Sequence, residues 1–448
     1  MSAAPPAAPD RPLSDEEFAA LMAVFAPFEP APRLAVAVSG GADSMALVVL
    51  AQAWARARGG ESLALVVDHR LRPESGREAE RVLGWLERLG IRGRILCADR
   101  PPPASGLQAW ARKLRYRLLE HACLELGALH LLLAHRQEDQ VETVAMRKAR
   151  GSGPLGLAGI PAERFTPSVR LVRPLLGVPR ARILATLKAR RVPWLEDPSN
   201  RDPRFARTPL RAHPPPERPL LACAAQAAAA RSRLEAEAAR WCASHARIDP
   251  FGWAELDLEA WHRADPELRL LLLSRLCLVV GGREHPPRRR VLARLLRELA
   301  GSAGKLRRTA GGCLLEVRGP RLRLFRELRG AKRARAEPVA GGLWWDGRWT
   351  IRLKDGPAVP WIGPLDSVPS ARLRAALLAR ARGLGIPREA LPGLPALSLE
   401  GGIWLSPLAP FRAARLGVRF SFRPCRRLLE APFRALGSIA SRPAQSNC

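Results

Sequence analysis

The segment from Arg33 to Leu50 constrains the fold more than any other part of the chain. It reads Arg-Leu-Ala-Val-Ala-Val-Ser-Gly-Gly-Ala-Asp-Ser-Met-Ala-Leu-Val-Val-Leu. An apolar run ends at two glycines and a helical apolar pattern follows at once, which predicts a strand, a tight loop and a helix. Glycines leave backbone N–H groups open to an anion, and a helix N-terminus adds positive partial charge. The predicted phosphate-binding residues are Ser39, Gly40, Gly41, Ala42, Asp43 and Ser44.

This loop is not a Walker A motif, which needs Gly-x-x-x-x-Gly-Lys followed by Ser or Thr. The Gly304-Lys305 pair lacks that spacing and precedes Leu306. Asp43 is a candidate ligand for Mg²⁺ or a residue that orients the loop. The alternative is an ordinary glycine turn, but two serines and an aspartate between a strand and a helix favour phosphate binding.

The pattern around this loop alternates strands with helices. Predicted strands are Leu34–Val38, Ser62–Asp68, Arg94–Ala98 and His130–His135, and predicted helices lie near Ser44–Arg58, Arg77–Leu89 and Leu107–Leu126. Continuous apolar strands are typical of a parallel sheet covered on both faces. The predicted fold class is therefore α/β, with a doubly wound, mostly parallel sheet that binds ligands at the carboxyl ends of its strands. Asp68, His69 and His135 lie at such ends.

The rest of the chain predicts further segments. A capping box at Ser14–Glu17 starts a helix, and Val169–Leu175 and Pro179–Arg191 continue the strand and helix pattern. Ala- and Arg-rich helical sequence runs from about Ala222 to Ala300. The predicted divisions are an N-terminal extension and helix (1–29, disordered over 1–13), the α/β domain (30–221), a helical domain (222–305), a mixed α+β domain (306–435) and a disordered tail (436–448).

A second polar cluster begins at His135 and opens a helix. Asp139 and Glu142 are spaced i, i+3 and share one helix face. Capping of the helix N-terminus is one interpretation. A phosphate loop on the same sheet edge favours another, in which the carboxylates serve Mg-ATP and a cationic substrate such as an amine.

Two later loops are less specific on their own. Arg150–Gly156 matches Gly-x-Gly-x-x-Gly but follows a helix and contains Pro154, so a dinucleotide site is rejected. The stretch Trp194–Asp202 is a polar loop. Trp344, Trp345 and Trp349 flank an Asp-Gly hairpin signal at 346–347, and packing of the hairpin core is favoured over stacking on RNA bases.

Charge and cysteine usage indicate the partner and the compartment. Lys and Arg number 73 against 42 Asp and Glu, a formal charge of +31, which favours nucleic acid over a merely basic surface. The eight cysteines form no Cys-x-x-Cys pair, which suits a reducing cytoplasm. The start of the chain shows no signal-peptide pattern. The apolar stretch Leu268–Val280 contains Arg269 and Arg275, so a buried helix is predicted rather than a membrane span.

Taken together, these segments resemble the tRNA(Ile)-lysidine synthetase family of the PP-loop ATP pyrophosphatases. The resemblance covers roughly residues 30–212 and rests on Ser39–Ser44, Val67–His69, Arg115–Arg117, His135–Thr143, Arg150–Gly153, Arg173–Leu176 and Trp194–Asn200. It implies a PP-loop fold and an ATP-dependent ligase and, together with the charge of the chain, a tRNA-binding or linker role for the helical domain at 222–305. The implied substrates are ATP with Mg²⁺, L-lysine, and tRNA(Ile) with a CAU anticodon. The implied product carries lysine on carbon 2 of the wobble cytidine, which changes codon reading from AUG to AUA.

The resemblance also implies roles for individual residues. The implied catalytic residues are Asp43, Asp139, Glu142 and Arg207, and Asp43 is also the implied Mg²⁺ ligand. The implied ATP site consists of Ser39–Ser44 with Asp68 and His69. The implied substrate-binding residues are Arg117, His135, Asp139 and Glu142. Two features depart from the family pattern. Thr208 stands where an Asn is usual, and Pro214–Pro216 interrupts a region expected to be helical.

Two alternatives remain open. A tRNA thiolase of the 2-thiocytidine type needs paired cysteines, whereas Cys97 and Cys123 are isolated in the sequence. A non-catalytic nucleotide-sensing or RNA-binding protein would not need Asp43, Asp139 and Glu142 together. The sequence does not decide whether the chain forms a homodimer.

Overall fold

The computed structural model describes most of the chain. The described residues are 11–98, 103, 105–166, 168–196, 215–301, 305–332, 336–339, 342–354, 359–424 and 428–429. The predictions on Arg207, on Thr208 and on the tail after 435 lie outside them. The chain divides into two units, one up to Arg233 and the other from Leu234 to Glu430.

The first unit alternates helices and strands. Its helices are α1 (Asp15–Ala23), α2 (Ala42–Arg56), α3 (Ser75–Arg88), α4 (Leu107–Glu125), α5 (Gln137–Ala149), α6 (Pro154–Leu157) and α7 (Arg180–Ala189). Its strands are β1 (Arg33–Val38), β2 (Glu61–Asp68), β3 (Arg92–Cys97), β4 (His130–Leu132), β5 (Glu163–Phe165) and β6 (Arg170–Val172). Helix α8 (Glu217–His245) carries the chain onward into the second unit.

These strands form one sheet in the order β3-β2-β1-β4-β6-β5. All neighbours are parallel except β5, which runs antiparallel to β6 at the edge. The fold-class prediction is confirmed. The chain leaves β1 toward β2 and β3 on one side and returns to β4 on the other, so the switch point of the sheet lies between β1 and β4. Ligands bind at such a point in doubly wound folds.

Alternate side chains of β1 enter two separate cores. Leu34, Val36 and Val38 pack in the larger core with α1, α2 and α7, whereas Ala35 and Ala37 pack on the opposite face with α4. A period of two along a strand produces this division. The sheet is therefore covered on both faces, as its apolar strands predicted.

Some predicted bounds need correction. The strand predicted at 130–135 ends at Leu132, which leaves His135 in the loop beyond it. Leu13, predicted to be disordered, is buried, and its N–H donates to the Thr186 hydroxyl at 2.8 Å. The capping box at Ser14 and Glu17 is present as predicted.

The second unit combines helices with antiparallel sheets. Its helices after α8 are α9 (Leu258–Arg263), α10 (Pro266–Gly281), α11 (Arg289–Ala300), α12 (Leu328–Lys332), α13 (Ala371–Gly383) and α14 (Pro410–Arg415). Its strands are β7 (Ala246–Ile248), β8 (Ala254–Asp257), β9 (Lys305–Ala310), β10 (Cys313–Arg318), β11 (Arg321–Arg326), β12 (Ala336–Val339), β13 (Gly342–Trp345), β14 (Trp349–Leu353), β15 (Trp361–Pro364), β16 (Pro395–Ser398), β17 (Trp404–Leu405) and β18 (Val418–Phe422).

The strands of this unit form three sheets, in the orders β7-β8-β11-β10-β9, β12-β13-β14-β18 and β15-β16-β17. Strands β7 and β8 interrupt the segment predicted to be helical from 222 to 300, and at three and four residues they are too short to give a clear alternating pattern. The first sheet uses strands from both sides of residue 305, so the predicted boundary there falls within one sheet. Among the described residues, no helix is both long and apolar enough to cross a membrane.

Strands β13 and β14 form a hairpin in the middle of their four-stranded sheet. Trp345 pairs with Trp349, both are buried, and Asp346 and Gly347 in the turn have φ of 56° and 65°. The prediction that the hairpin tryptophans pack a core is confirmed for Trp345 and Trp349, whereas Trp344 is half-buried and is not among the residues of that core. The Asp346 carboxylate accepts hydrogen bonds from Arg326 and from Arg348, whose side chain is fully buried.

Asp346→Asn is expected to destabilise the second unit strongly, because two buried guanidinium groups lose their shared negative charge. Breaking a buried ion pair by removing one partner costs about 3–5 kcal/mol. Thermal and urea unfolding should show the transition of this unit at a lower midpoint. The control is Glu400→Gln, an exposed carboxylate, with an expected change within about 0.5 kcal/mol. Equal midpoints for the two variants would contradict this account of the Asp346 pair.

Candidate active site

The loop between β1 and α2 is fixed from behind by apolar packing. Gly40 has φ of +82°, and a Cβ there would lie 2.6 Å from Val82 Cγ2 and 2.8 Å from Leu195 Cδ1. The Gly40 carbonyl accepts a hydrogen bond from the Leu195 N–H at 2.8 Å. Gly41 forms a parallel bridge with the same residue. The first described residues of the Trp194 segment therefore support the loop, and residues 197–202 lie outside the described part of the chain.

The two serines hold the loop in shape. The Ser44 hydroxyl accepts a hydrogen bond from the Ser39 N–H at 3.1 Å and donates to the Gly41 carbonyl at 2.9 Å. The two hydroxyl oxygens are 3.3 Å apart. Gly41 is the N-cap of α2 and provides no side-chain cap. A helix that starts without a side-chain cap offers its first N–H groups and its positive dipole end to an anion.

Asp43, in the first turn of α2, faces α5. One carboxylate oxygen forms an ion pair with Arg136 Nη1, and the other is buried without a hydrogen-bond partner among the described residues. Burial raises the pKa of Asp43, the nearby Asp139 carboxylate raises it further, and Arg136 opposes both. The two aspartates predicted as catalytic are thus close enough to influence each other.

Arg136 connects the loop to the acidic helix, and sequence reasoning missed it. Its guanidinium also donates to Glu138 Oε2 at 2.9 Å, and its backbone N–H donates to Asp139 Oδ2 at 3.0 Å. Burial disfavours its charge, but the carboxylates of Asp43, Asp139 and Glu138 together raise its pKa. The sequence does contain a signal for this role. Arg136 directly precedes the acidic residues of α5, at the edge of the sheet where Asp43 of the phosphate loop needs a positively charged partner.

Asp139 and Glu142 are both buried on α5. Because Asp139 accepts from the Arg136 N–H, it caps the helix, so the capping interpretation holds alongside the functional one. Gln140, between them, donates to the Ile160 carbonyl at 3.2 Å and accepts from the Ile160 N–H at 2.6 Å. These two hydrogen bonds fix the rotation of α5 about its axis and therefore the positions of both carboxylates.

Asp68 and His69 lie at the end of β2. Asp68 Oδ1 accepts from the Arg70 N–H at 2.8 Å, which closes a turn in which Arg70 has φ of 52°. His69 is half-buried, and burial and the positive charge of Arg115 lower its pKa. The imidazole is therefore favoured in its neutral form, which suits a hydrogen-bonding rather than an ionic role.

The remaining predicted site residues are less central. His135 is half-buried in the loop after β4, at the same edge of the sheet as the phosphate loop. Arg117 is exposed on α4, whereas Arg115, two residues earlier, is the arginine of that helix that acts on His69. Arg207 lies outside the described residues.

The carboxylates present fit a divalent cation that is shared with a substrate. Mg²⁺ is usually bound by one or two carboxylates together with substrate phosphates. Asp43 offers a buried oxygen with no protein partner among the described residues, and Asp139 lies near it. No group of three or more His, Cys, Asp or Glu that could hold a metal occurs in the described ranges. The buried oxygen of Asp43 is suited to a metal that arrives with phosphates.

Comparison with known proteins defines the class. A family model described as a PP-loop domain matches residues 14–217, the part that carries the sheet and the site. The first unit is thus a PP-loop domain, a class that uses ATP.

Three similar proteins bear the name tRNA(Ile)-lysidine synthase. The one from Rhizobium meliloti is 39% identical over 355 residues, 73% of this chain and 74% of the relative. The one from Methylobacterium nodulans is 39% identical over 339 residues, 71% and 97% of the two chains. The one from Rhodopseudomonas palustris is 48% identical over 190 residues, and the match spans 42% of this chain and 55% of that relative. The chain belongs to the tRNA(Ile)-lysidine synthase family.

Gly40→Ala is expected to weaken ATP binding at least tenfold, because the new Cβ would overlap the Val82 and Leu195 side chains and push the loop out of shape. The control is Gly59→Ala. Gly59 also has positive φ, at +70°, but a Cβ there meets nothing within 4 Å. Nucleotide titration of both variants, with melting temperatures, separates backbone strain from loop distortion. Equal ATP affinity in the two variants would contradict the packing argument.

Arg136→Gln is expected to move the low-pH limb of Mg-ATP binding to higher pH. Arg136 lowers the pKa of Asp43, so its loss leaves Asp43 protonated, and unable to act as an anion, at pH values where it was charged. A nearby opposite charge is worth about 1–3 pKa units, so the limb should move by about 1 unit. Affinity measured from pH 4 to 8 checks this (roughly the range over which carboxyl groups with raised pKa titrate). Arg88→Gln, an exposed residue of α3, should leave the limb in place.

Proposed function

We propose that this chain ligates L-lysine to carbon 2 of the wobble cytidine in the CAU anticodon of tRNA(Ile), and in doing so converts ATP to AMP and diphosphate. Family membership supports the reaction. The observation that carries the proposal is the bridge from Asp43 through Arg136 to Asp139, because it joins an anion-binding loop to a buried acidic pair within one site. A site built this way can hold a triphosphate and an amine together.

The first step forms the bond between the base and the nucleotide. The 2-oxygen of the cytidine attacks the α-phosphorus of ATP, and the bond to the β-phosphate oxygen breaks. The N–H groups at the start of α2 stabilise the negative charge that develops on the diphosphate. A bound Mg²⁺ would supply further charge neutralisation there, and Asp43 would hold it. Arg207 stays a prediction for the charge at the α-phosphate.

The second step forms the carbon–nitrogen bond. The ε-amine of lysine attacks carbon 2 of the adenylated cytidine, and AMP leaves. Asp139 and Glu142 hold the ammonium groups of lysine, and one of these carboxylates takes the proton that the attacking amine must lose. The cytidine has to leave its stack to enter the site, which costs a few kcal/mol and least in an unpaired anticodon loop.

The charge of the chain supports the nucleic-acid partner. A formal charge of +31 is suited to a phosphate backbone, and such contacts make affinity strongly dependent on salt. Location in the cytoplasm remains a prediction from the sequence, and the sequence leaves open whether the chain forms a homodimer.

A thiolase that uses Cys123 is disfavoured by the burial of that residue. Cys123 is buried among apolar side chains, and burial raises the pKa of its thiol to about 12, so it is a poor nucleophile and metal ligand. A non-catalytic binding protein is disfavoured by the buried Asp139 and Glu142. Burial of a carboxylate costs free energy, and a bound cationic substrate would offset that cost.

The direct test incubates the protein with ATP, labelled lysine and tRNA(Ile) bearing a CAU anticodon. We expect one label and one AMP per tRNA, and no label in tRNAs specific for leucine or serine. Asp139→Asn keeps an oxygen that can accept from the Arg136 N–H but loses the charge, so its rate should fall by about 10²–10⁴ with little change in stability. Glu80→Gln, an exposed acid of α3, is the matched control.

Two results would contradict the proposal. One is absence of label in tRNA(Ile) with the intact chain. The other is an unchanged rate in Asp139→Asn, which would remove this carboxylate from the chemistry.

A further inference from the structure

Arg173 follows the last residue of β6, at the edge of the sheet that carries the phosphate loop. The residue is 4% exposed. Its Nη1 donates to the Pro161 carbonyl at 2.9 Å, and its side chain also hydrogen-bonds to the Tyr116 hydroxyl. Its Nε is buried and has no hydrogen-bond partner in the described part of the chain.

Arg173 forms no ion pair with a carboxylate of the described residues, which is unusual for so deeply buried a charge. Its two acceptors are neutral, and its close neighbours include the like-charged Arg112 and Arg164. By contrast, Arg170, three residues earlier, pairs with Glu163 at 2.6 Å. A buried charge that is not neutralised carries a large desolvation cost, so an anion from outside the chain is the expected partner.

The surroundings of Tyr116 reinforce this positive potential. The Arg112 guanidinium lies 5.3 Å from the centre of the Tyr116 ring. Arg115 is half-buried beside the same tyrosine and forms no ion pair within the described ranges. Burial lowers the pKa of Arg115 and of Arg173, and the neighbouring arginine charges lower both pKa values further.

The position of Arg173 relates it to the acids of α5. Val172 pairs with Leu132 at the end of β4, and the Leu133 N–H donates to the Val172 carbonyl at 2.9 Å. Pro161, which accepts from Arg173, directly follows Ile160, which is bound twice by Gln140. Gln140 lies between Asp139 and Glu142, so one short loop joins the buried cation to the buried acids.

We propose that Arg173, with the Tyr116 hydroxyl and Arg115 beside it, binds the α-carboxylate of the substrate lysine. The proposal rests on the proposed function. Lysine carries two ammonium groups and one carboxylate. Asp139 and Glu142 are buried carboxylates suited to the ammonium groups. Arg173, unlike Arg136, is a buried guanidinium without a carboxylate partner among the described residues. A tRNA phosphate has similar oxyanion chemistry, but the depth of Arg173 and its link to α5 favour the smaller ligand. Arg173 thereby selects an amino acid over a simple amine.

The test compares lysine with lysinamide, in which a neutral amide replaces the carboxylate, in wild type and Arg173→Met. Wild type should prefer lysine by about 10- to 100-fold in kcat/KM, the effect of one charged hydrogen-bonded contact. In Arg173→Met the KM for lysine should rise by a similar factor and the preference should vanish. The KM values for ATP and tRNA should stay within about twofold of wild type. Arg88→Gln controls for loss of a positive charge.

Stability separates binding from a structural role. Arg173→Met removes the desolvation cost of a buried charge but also removes the hydrogen bonds to the Pro161 carbonyl and to Tyr116. These effects oppose each other, so the melting temperature in the absence of lysine should stay close to that of wild type. Arg173→Lys keeps the charge without the planar fork and should retain part of the preference for lysine.

Three outcomes would overturn the proposal. An unchanged KM for lysine in Arg173→Met would do so, as would a raised KM for tRNA alone, which would identify a phosphate site. Loss of folding in both Arg173→Met and Arg173→Lys would mark the residue as structural. Failure of the proposed function is distinguishable, because then the wild type itself would transfer no lysine to tRNA(Ile).

Discussion

The contact of Arg136 with Asp43 and Asp139 is the interaction on which the site depends. It joins α2 to α5 across the switch point of the sheet, where the ends of β1 and β4 meet. Without a cation at this place, two carboxylates would face each other in a buried setting, and each would raise the pKa of the other. With it, the loop and the acidic helix hold one geometry before any substrate enters, and preorganisation of this kind is the main source of electrostatic stabilisation in enzymes.

Neighbouring strand ends along one edge of the sheet carry groups of different charge. The end of β1 provides an anion-binding loop, the segment after β4 provides carboxylates, and the end of β6 provides the buried guanidinium of Arg173. In the proposed reaction, the phosphates of ATP and the ammonium and carboxylate groups of lysine would each meet a group of opposite charge along this edge. A reaction between two polar substrates gains from this arrangement, because correct placement removes much of the entropic cost of bringing them together.

Much of the first unit could be predicted from the sequence. Continuous apolar strands and the Ser39–Ser44 loop specify the sheet and the site edge, because burial and glycine conformation act locally. Arg136 and Arg173 could not be predicted in this way. Arg136 pairs with Asp43, which is 93 residues away in the chain. Arg173 stands out because its Nε has no hydrogen-bond partner among the described residues. The second unit was also less predictable, since short strands such as β7 and β8 depend on pairing across the sheet rather than on a local pattern.

In the proposed reaction the tRNA base, and not lysine, is adenylated at this site. Isotope exchange between labelled diphosphate and ATP tests it directly, because the first step alone supports that exchange. We expect exchange with tRNA(Ile) bearing a CAU anticodon in the complete absence of lysine, and none with lysine in the absence of tRNA. Exchange that requires lysine and proceeds without tRNA would contradict adenylation of the base, since lysine would then be the group that attacks the α-phosphorus.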